Sequence, residues 1–202
     1  MLEIKYPQLR FVRYADDAII HCNNQAGAEK VLKAIKQRMS ECGLEVNGKK
    51  GKIAYCKNAN RKGTYKVVKF DFLGFTFQPR PTSTRTGQMF LGFDCAISTK
   101  SKKKITEVFR KSNFQRWTGS DITRIAEEFN SKIQGWINYY GKFRKFSLMK
   151  IFRIFHCRLI TWAIYRYKRF KGSFRKAMRW IYELARSQPN LFVHWQHGFQ
   201  GA

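Results

Sequence analysis

Two adjacent carboxylates, Asp16 and Asp17, are the residues of this sequence best suited to chemistry. They separate two short runs, residues 9–12 and 18–22, which are rich in the branched and aromatic side chains typical of β-strands. Turn-forming residues between two such runs predict a hairpin with both acids at its tip. Carboxylate oxygens are preferred ligands of Mg²⁺, which serves phosphoryl transfer. The pair predicts a metal site, although aspartates also stabilise turns without any metal.

The net charge of the chain limits the class of partner. Its 202 residues include 40 Lys and Arg against 13 Asp and Glu, which gives a formal charge of +27. A positive field of this size favours a polyanion, with nucleic acid as the first candidate and an anionic membrane surface as the alternative. The sequence contains no uninterrupted stretch of about 18 apolar residues, the length that a transmembrane helix requires. We expect no membrane partner.

Cysteine usage and the first residues of the sequence indicate the compartment. The five cysteines are widely spaced and include no Cys-x-x-Cys pair, which argues against both a disulfide framework and a zinc site. The N-terminal residues show no apolar core followed by a small-residue cleavage site, so no secretory signal is visible. We therefore expect a reducing, cytoplasmic compartment.

Charge and periodicity divide the sequence near residue 98. Residues 98–202 hold 23 of the 40 basic residues and only 5 of the 13 acidic ones. The part before them alternates short strand-like runs with one helix, whereas the part after them has helical periodicity almost throughout. This segregation predicts an α+β fold. We place the boundaries so that residues 78–98 form a connecting strand/loop segment between residues 1–77 and a helical bundle at residues 99–202.

Capping residues and turn signals predict the elements of the first part. A helix is expected between the cap residue Asn24 and the stop residue Gly43, with one apolar face covering a sheet. We predict strands over residues 44–48 and 52–56, and a further strand pair over residues 67–77. Gly74 interrupts the last of these, which indicates a bulge or a close approach of another group to the backbone.

The second part begins after a segment rich in Pro, Ser and Thr. This segment, residues 78–87, predicts a linker or flexible loop. Apolar residues then recur at spacings of three and four, which predicts helices. The predicted helices begin near Ser120, Leu148 and Phe174. Three apolar stripes imply a helical bundle.

Four short segments carry more specific information. They are Tyr14-Ala15-Asp16-Asp17, the segment from Gly43 to Ile53, Phe70-Asp71-Phe72-Leu73-Gly74-Phe75, and Gly135-Trp136-Ile137-Asn138-Tyr139-Tyr140. In this order they resemble motifs of the group II intron reverse transcriptases/maturases, with Gly51 in place of a usual Thr. The resemblance implies a partial reverse-transcriptase palm of antiparallel hairpins plus a helix at residues 1–77. It implies a thumb and maturase-specific domain at residues 99–202.

The same resemblance implies roles for individual residues. Asp16 and Asp17 would be catalytic and bind Mg²⁺, and Lys50 would lie near the phosphates of the nucleotide. The primer end would be positioned by Phe72, Leu73, Gly74 and Phe75. The family's other essential aspartate lies on an earlier strand, so we expect a metal half-site without turnover, lacking the fingers and the first palm carboxylate. Polymerase activity would then require a separately encoded N-terminal reverse transcriptase half.

Basic clusters interleaved with aromatic residues predict contacts with RNA. Cationic side chains neutralise phosphates, while aromatic rings stack on bases. The candidates are Lys52, Lys100, Lys102, Lys103, Lys104, Tyr139, Lys142, Arg144, Lys145, Arg166, Lys168 and Arg169. Tyr139 lies off the apolar stripe of its helix and is the candidate for stacking on a base or sugar. For any single cluster, a solvated helix face is the alternative.

The function expected from the resemblance is that of an RNA-directed DNA polymerase and maturase, represented by its C-terminal part. Such a chain would bind structured intron RNA, assist splicing and hold an RNA/DNA duplex as a further partner. Two alternatives stay open. The chain could be a non-enzymatic basic RNA-binding protein, or an inactive truncated remnant.

Overall fold

A computed structural model describes residues 5–48, 51–61 and 63–200. The strands are β1 Phe11–Tyr14, β2 Asp17–Ile20, β3 Phe70–Phe72, β4 Phe75–Ser83 and β5 Met89–Ile97. The helices are α1 Gln25–Glu41, α2 Thr99–Ser112, α3 Ile122–Tyr140, α4 Met149–Arg166, α5 Phe174–Ser187 and α6 Val193–Gln196. Short 3₁₀ turns span Phe114–Arg116, Lys145–Leu148 and Lys168–Phe170. The α+β class predicted from the sequence is confirmed.

The chain forms two compact units. The first contains residues 1–72 and 78–93, and the second contains residues 73–77 and 94–202. Strands β1 and β2 form a two-stranded antiparallel sheet, while a three-stranded sheet has the order β3-β4-β5. Of the helices in the described ranges, none combines the length and the apolar character needed to cross a bilayer.

Helix α1 forms where its capping residues predict it. The side chain of Asn24 accepts a hydrogen bond from the backbone N–H of Gly27 at 2.7 Å, and Gly43 follows the helix with a φ of +69°. The apolar stripe of α1 is only partly covered, because Val31 is the only residue of the first unit that is buried among those described. The first unit therefore has almost no hydrophobic core within the described residues.

Two strand predictions in the first unit are wrong. Residues 44–48 and 52–56 are irregular in their described parts, apart from a turn at Gly48. A strand requires a neighbour that completes its ladder of hydrogen bonds, and local propensity does not supply one. The backbone N–H of Tyr55 instead donates to the carbonyl of Val67 at 2.8 Å, and the Tyr55 ring packs against Tyr65.

The prediction of a loop at residues 78–87 is wrong for residues 78–83, which continue β4, whereas residues 84–88 form the turn that leads to β5. Pro79 and Pro81 are tolerated there for a geometric reason. The three residues of β3 pair with β4 only at its beginning. Farther along, that edge of β4 has no strand partner among the described residues. Prolines two residues apart place their missing N–H groups on the same side of a strand, where an open edge requires no donor.

The second unit has a continuous hydrophobic core. Phe109 from α2, Phe129 from α3 and Phe155 from α4 are fully buried, with Phe114 between them. The ring centroids of Phe109 and Phe155 are 4.7 Å apart. The ring centroid of Phe114 lies 5.2 Å from the centroids of both Phe129 and Phe155. The helices predicted near Ser120, Leu148 and Phe174 all form, although Asp121 rather than Ser120 precedes α3.

A buried histidine pair joins α4 to α6. The Nε2 atoms of His156 and His194 are 2.8 Å apart, and Trp195 Nε1 donates to His156 Nε2 at 3.0 Å. An indole N–H can only donate, so His156 Nε2 accepts and its proton lies on Nδ1. Burial lowers the pKa of His156 to about 4. Burial, followed by the nearby His156, lowers the pKa of His194 well below its ordinary value.

Candidate catalytic hairpin and nucleic-acid interface

The two adjacent aspartates lie at the tip of the β1–β2 hairpin, as predicted. Antiparallel pairing sets Tyr14 opposite Asp17, which leaves Ala15 and Asp16 as the turn. Ala15 has a φ of +47°, and Arg13 Nε donates to its carbonyl at 3.0 Å. Both aspartate side chains are exposed to solvent. The hairpin thus presents two carboxylates at one end, where they are accessible to ligands.

The chemistry of this donor set suits Mg²⁺. The ion is usually held in proteins by one or two carboxylates, with water and substrate phosphates completing six oxygen ligands. Asp16 and Asp17 provide two such carboxylates. No cluster of three or more His, Cys, Asp or Glu side chains that could hold a metal occurs in the described parts of the chain. In two-metal nucleotidyl transfer, carboxylates on more than one element usually hold the ions.

The residues expected to position the primer end form a tight turn and its two flanking positions. Phe72 ends β3, Leu73 and Gly74 form the turn, and Phe75 begins β4. Both turn residues have positive φ, +47° and +79°, as a two-residue hairpin loop requires. The close approach predicted at Gly74 is present, because a Cβ placed there would lie 3.0 Å from the side-chain oxygens of Ser101 and Tyr140.

Of the two lysines in this region that are expected near phosphates, the structure describes one. Lys50 lies outside the described residues. Lys52 is exposed in the irregular segment that follows it. Contact of either lysine with phosphate stays a prediction.

The lysine cluster at the start of α2 is the clearest cationic feature of the second unit. Lys100, Lys103 and Lys104 are exposed, and Lys102 is half-buried. The first turn of α2 contains no acidic residue. Cations are unfavourable near a helix N-terminus, which carries a partial positive charge, and lysines three or four residues apart also repel. A bound polyanion would relieve both effects.

The cluster after α3 is partly used inside the protein. Arg144 Nε pairs with Asp94 Oδ2 at 2.5 Å, and both side chains are one-third exposed. Lys145 Nζ lies 5.5 Å from the ring centroid of Phe199, while Lys142 is exposed. Arg144 therefore has a structural role in addition to the RNA contact predicted for it.

The third cluster places a guanidinium group on aromatic rings. The guanidinium of Arg169 lies 4.6 Å from the ring centroid of Phe170 and 5.8 Å from that of Trp180. Arg166 pairs with Asp121 at 3.5 Å, and Lys168 is exposed. A guanidinium held over aromatic rings is positioned before a ligand arrives, which lowers the entropic cost of binding a phosphate or base.

Sequence reasoning missed cations that the fold brings beside these clusters. Lys176 and Arg179 of α5 line a shallow groove next to Arg169. Arg153 and Arg158 line another along α4, where Arg158 donates to Gln115 Oε1 at 2.7 Å. Only the spacing of three between Lys176 and Arg179 signals a shared helix face. Their proximity to Arg169 depends on the packing of α5 against the preceding 3₁₀ turn.

Tyr139 also has partners that its position on a helix could not reveal. Its hydroxyl donates to the carbonyl of Leu73 at 2.8 Å, and its ring centroid lies 5.4 Å from that of Phe75. The side chain is 47% exposed, so part of the ring is accessible. Stacking of a base or sugar on that part stays a prediction.

Comparison with protein families gives two matches along the chain. Residues 2–77 match the model of the reverse transcriptase (RNA-dependent DNA polymerase) family. Residues 99–182 match the group II intron, maturase-specific domain. Among curated proteins, none matches the chain. The two matched regions contain the aspartate hairpin and the three basic clusters of the helical unit.

Proposed function

The chain belongs to the family of group II intron reverse transcriptases/maturases, and from this premise we propose that it binds structured intron RNA through its helical unit and assists splicing. An RNA/DNA duplex is the further ligand of the same surface. The proposal includes a reducing, cytoplasmic compartment, which the five free cysteines support.

The distribution of charge carries the proposal. Lys100, Lys103 and Lys104 have no ion-pair partner among the described residues. Lys100 lies in the first turn of α2, where a cation costs stability, and it repels the other two lysines, three and four residues away. A bound anion would make this arrangement more favourable. Arg169 stacked on its aromatic neighbours adds an oriented cation that can contact both phosphate and base.

Splicing of a group II intron precursor at limiting Mg²⁺ tests the maturase role. We expect the purified full chain to accelerate splicing and to saturate near one chain per RNA, since it would stabilise the active RNA fold by binding it. Polylysine of equal total charge is the control for non-specific neutralisation. No acceleration, or equal acceleration by polylysine, would contradict the proposal.

We propose further that Asp16 and Asp17 hold Mg²⁺ for RNA-directed DNA synthesis only when another polypeptide segment supplies the rest of the palm. The poor burial of the first unit supports this. Val12 and Tyr14 of the hairpin are 53% and 65% exposed, and Leu44 is 58% exposed. Further strands of a palm would cover apolar surface of this kind.

Mixing the chain with a separately expressed N-terminal half of a related reverse transcriptase tests this second proposal. We expect primer extension with Mg²⁺ in the mixture and in neither part alone. Asp16→Ala and Asp17→Ala should abolish it, whereas Glu45→Ala, which removes an exposed carboxylate elsewhere in the same unit, should not. Absence of extension, combined with tight RNA binding that is indifferent to both aspartates, would favour a non-enzymatic RNA-binding protein.

A further inference from the structure

The turn between β3 and β4 is held in a conformation that its residues do not favour by themselves. Leu73 has a φ of +47° and Gly74 a φ of +79°. A leucine rarely adopts positive φ, because its Cβ then crowds the backbone, so surrounding contacts must stabilise the conformation. Those contacts come from two helices of the second unit.

Three hydrogen bonds fix the two carbonyl groups of the turn. Tyr139 Oη donates to the carbonyl of Leu73 at 2.8 Å. The backbone N–H of Ser98 and the hydroxyl of Ser101 donate to the carbonyl of Gly74 at 2.9 Å and 3.0 Å. Ser98 and Ser101 belong to the start of α2, and both are buried. The turn is therefore tied to the start of one helix and the end of another.

Packing closes the turn from the remaining side. A Cβ on Gly74 would lie 3.0 Å from both Ser101 Oγ and Tyr140 Oη, so the glycine fits only because it has no side chain. Phe75 is 7% exposed, and its ring centroid lies 5.4 Å from those of both Tyr139 and Tyr140. The Tyr-Tyr pair thus contacts every residue of the turn and the first residue of β4.

We propose that Tyr139 and Tyr140 are positioning residues for the primer end, acting through the Leu73–Gly74 turn. Tyr139 orients the Leu73 carbonyl by its hydrogen bond, and Tyr140 limits the space above Gly74. This inference rests on the proposed role in DNA synthesis and on the positioning of the primer end that the family resemblance implies for residues 72–75. It makes a helix of the maturase-specific region a support of the polymerase site.

Hydrogen exchange of the free full chain tests the support itself. Tyr139→Phe removes one hydroxyl and keeps the ring. We expect backbone amides of residues 73–77 to exchange about 5- to 10-fold faster, as loss of one hydrogen bond allows. The matched control is Tyr165→Phe, because Tyr165 is 58% exposed and its hydroxyl has no partner in the described part of the chain. Equal exchange in both variants would overturn the inference.

Binding of a primer–template tests the positioning role. The probe is an RNA/DNA hybrid with a recessed DNA 3′ end that carries 2-aminopurine, compared with a blunt hybrid of equal length. We expect the wild-type chain to prefer the recessed end and to change the 2-aminopurine fluorescence. Tyr139→Phe should lower that preference about 5- to 10-fold and leave affinity for the blunt hybrid unchanged. Tyr165→Phe should match the wild type in both respects.

The two measurements separate the possible failures. A wild-type chain without any end preference contradicts the proposed primer contact, and the positioning role with it. Normal end preference with unchanged exchange in Tyr139→Phe contradicts the positioning role alone. Tyr139→Phe could also exchange faster and still prefer the recessed end. Tyr139 would then support the turn without positioning the primer, and this result also overturns the inference.

Discussion

Replacing the exposed lysines at the start of α2 should weaken RNA binding and strengthen the fold at the same time. The variant is Lys100→Gln, Lys103→Gln and Lys104→Gln, which removes three charges while keeping side-chain length and helix propensity. If the three ammonium groups contact phosphates, each accounts for a salt-dependence slope of about 0.7 to 0.9. The slope of log K against log salt should therefore become shallower by about 2 to 3.

The same slope sets the loss of affinity. Counted from a reference of about 1 M salt, three lost contacts weaken binding about 100-fold at 0.15 M and only about 5-fold at 0.5 M. Stability should change in the opposite direction. Lys100 lies in the first turn of α2 and is three and four residues from the other two lysines. Relief of the dipole and of like-charge repulsion should stabilise the chain by about 1 kcal/mol, or roughly 3–4 °C in Tm.

The matched control removes three exposed lysines from one helix of the other unit. It is Lys30→Gln, Lys33→Gln and Lys36→Gln on α1, which changes net charge equally at a site outside the proposed interface. Affinity for a structured intron RNA is measured by fluorescence anisotropy over 0.1–0.5 M salt, and Tm by circular dichroism. Equal losses of slope in both variants would refute the reasoning, because affinity would then depend on net charge alone. A lower Tm in the α2 variant would refute the electrostatic account of that helix.

Three further outcomes are expected. Gly74→Ala should destabilise the chain by about 1–3 kcal/mol more than Gly87→Ala, as measured by urea unfolding. Both glycines have positive φ, but only at Gly74 would an added Cβ collide with neighbouring atoms. Equal losses of stability in the two variants would contradict the close approach at Gly74. The pKa of His156 is lower in the folded chain than in the unfolded one, so the free energy of unfolding should fall by about 3 kcal/mol as pH drops from about 6.5 towards 4. His194 acts in the same direction. A Tm that does not change from pH 7 to 4 in thermal unfolding would be inconsistent with a neutral buried pair. Replacing both hairpin aspartates by alanine should leave RNA affinity within about 2-fold of the wild-type value in filter binding, because the two carboxylates contact no phosphate of the bound RNA directly. A tenfold loss of affinity would place the hairpin in the RNA interface.

Local signals predicted the elements that depend on local physics. The β1–β2 hairpin and helix α1 form because a turn, a cap at Asn24 and a stop at Gly43 lie within a few residues of the structure they specify. The helices of the second unit follow from apolar stripes that bury against one another. Strand predictions over residues 44–48 and 52–56 failed, because a strand also needs a partner that the pattern does not provide.

The candidate site shows the same limit at the level of single residues. The position of Asp16 and Asp17 at a hairpin tip could be predicted, since Asp16 lies in the turn and Asp17 begins the strand that follows it. The hydrogen bond from Tyr139 to Leu73 joins residues 66 positions apart, and no local pattern encodes such a contact. Helical position marked Tyr139 correctly as lying off the core stripe, but could not identify the backbone group that its hydroxyl meets.

The most direct test of the account is a binding titration of the full chain with a folded group II intron RNA at 0.15 M salt. The comparison RNA has the same length and composition but no stable tertiary fold, and polylysine serves as a protein control. We expect saturable binding to the folded RNA that is at least tenfold tighter than binding to the comparison RNA, a preference that polylysine lacks. Equal affinity of the chain for both RNAs would contradict the claim that its helical unit recognises structured intron RNA.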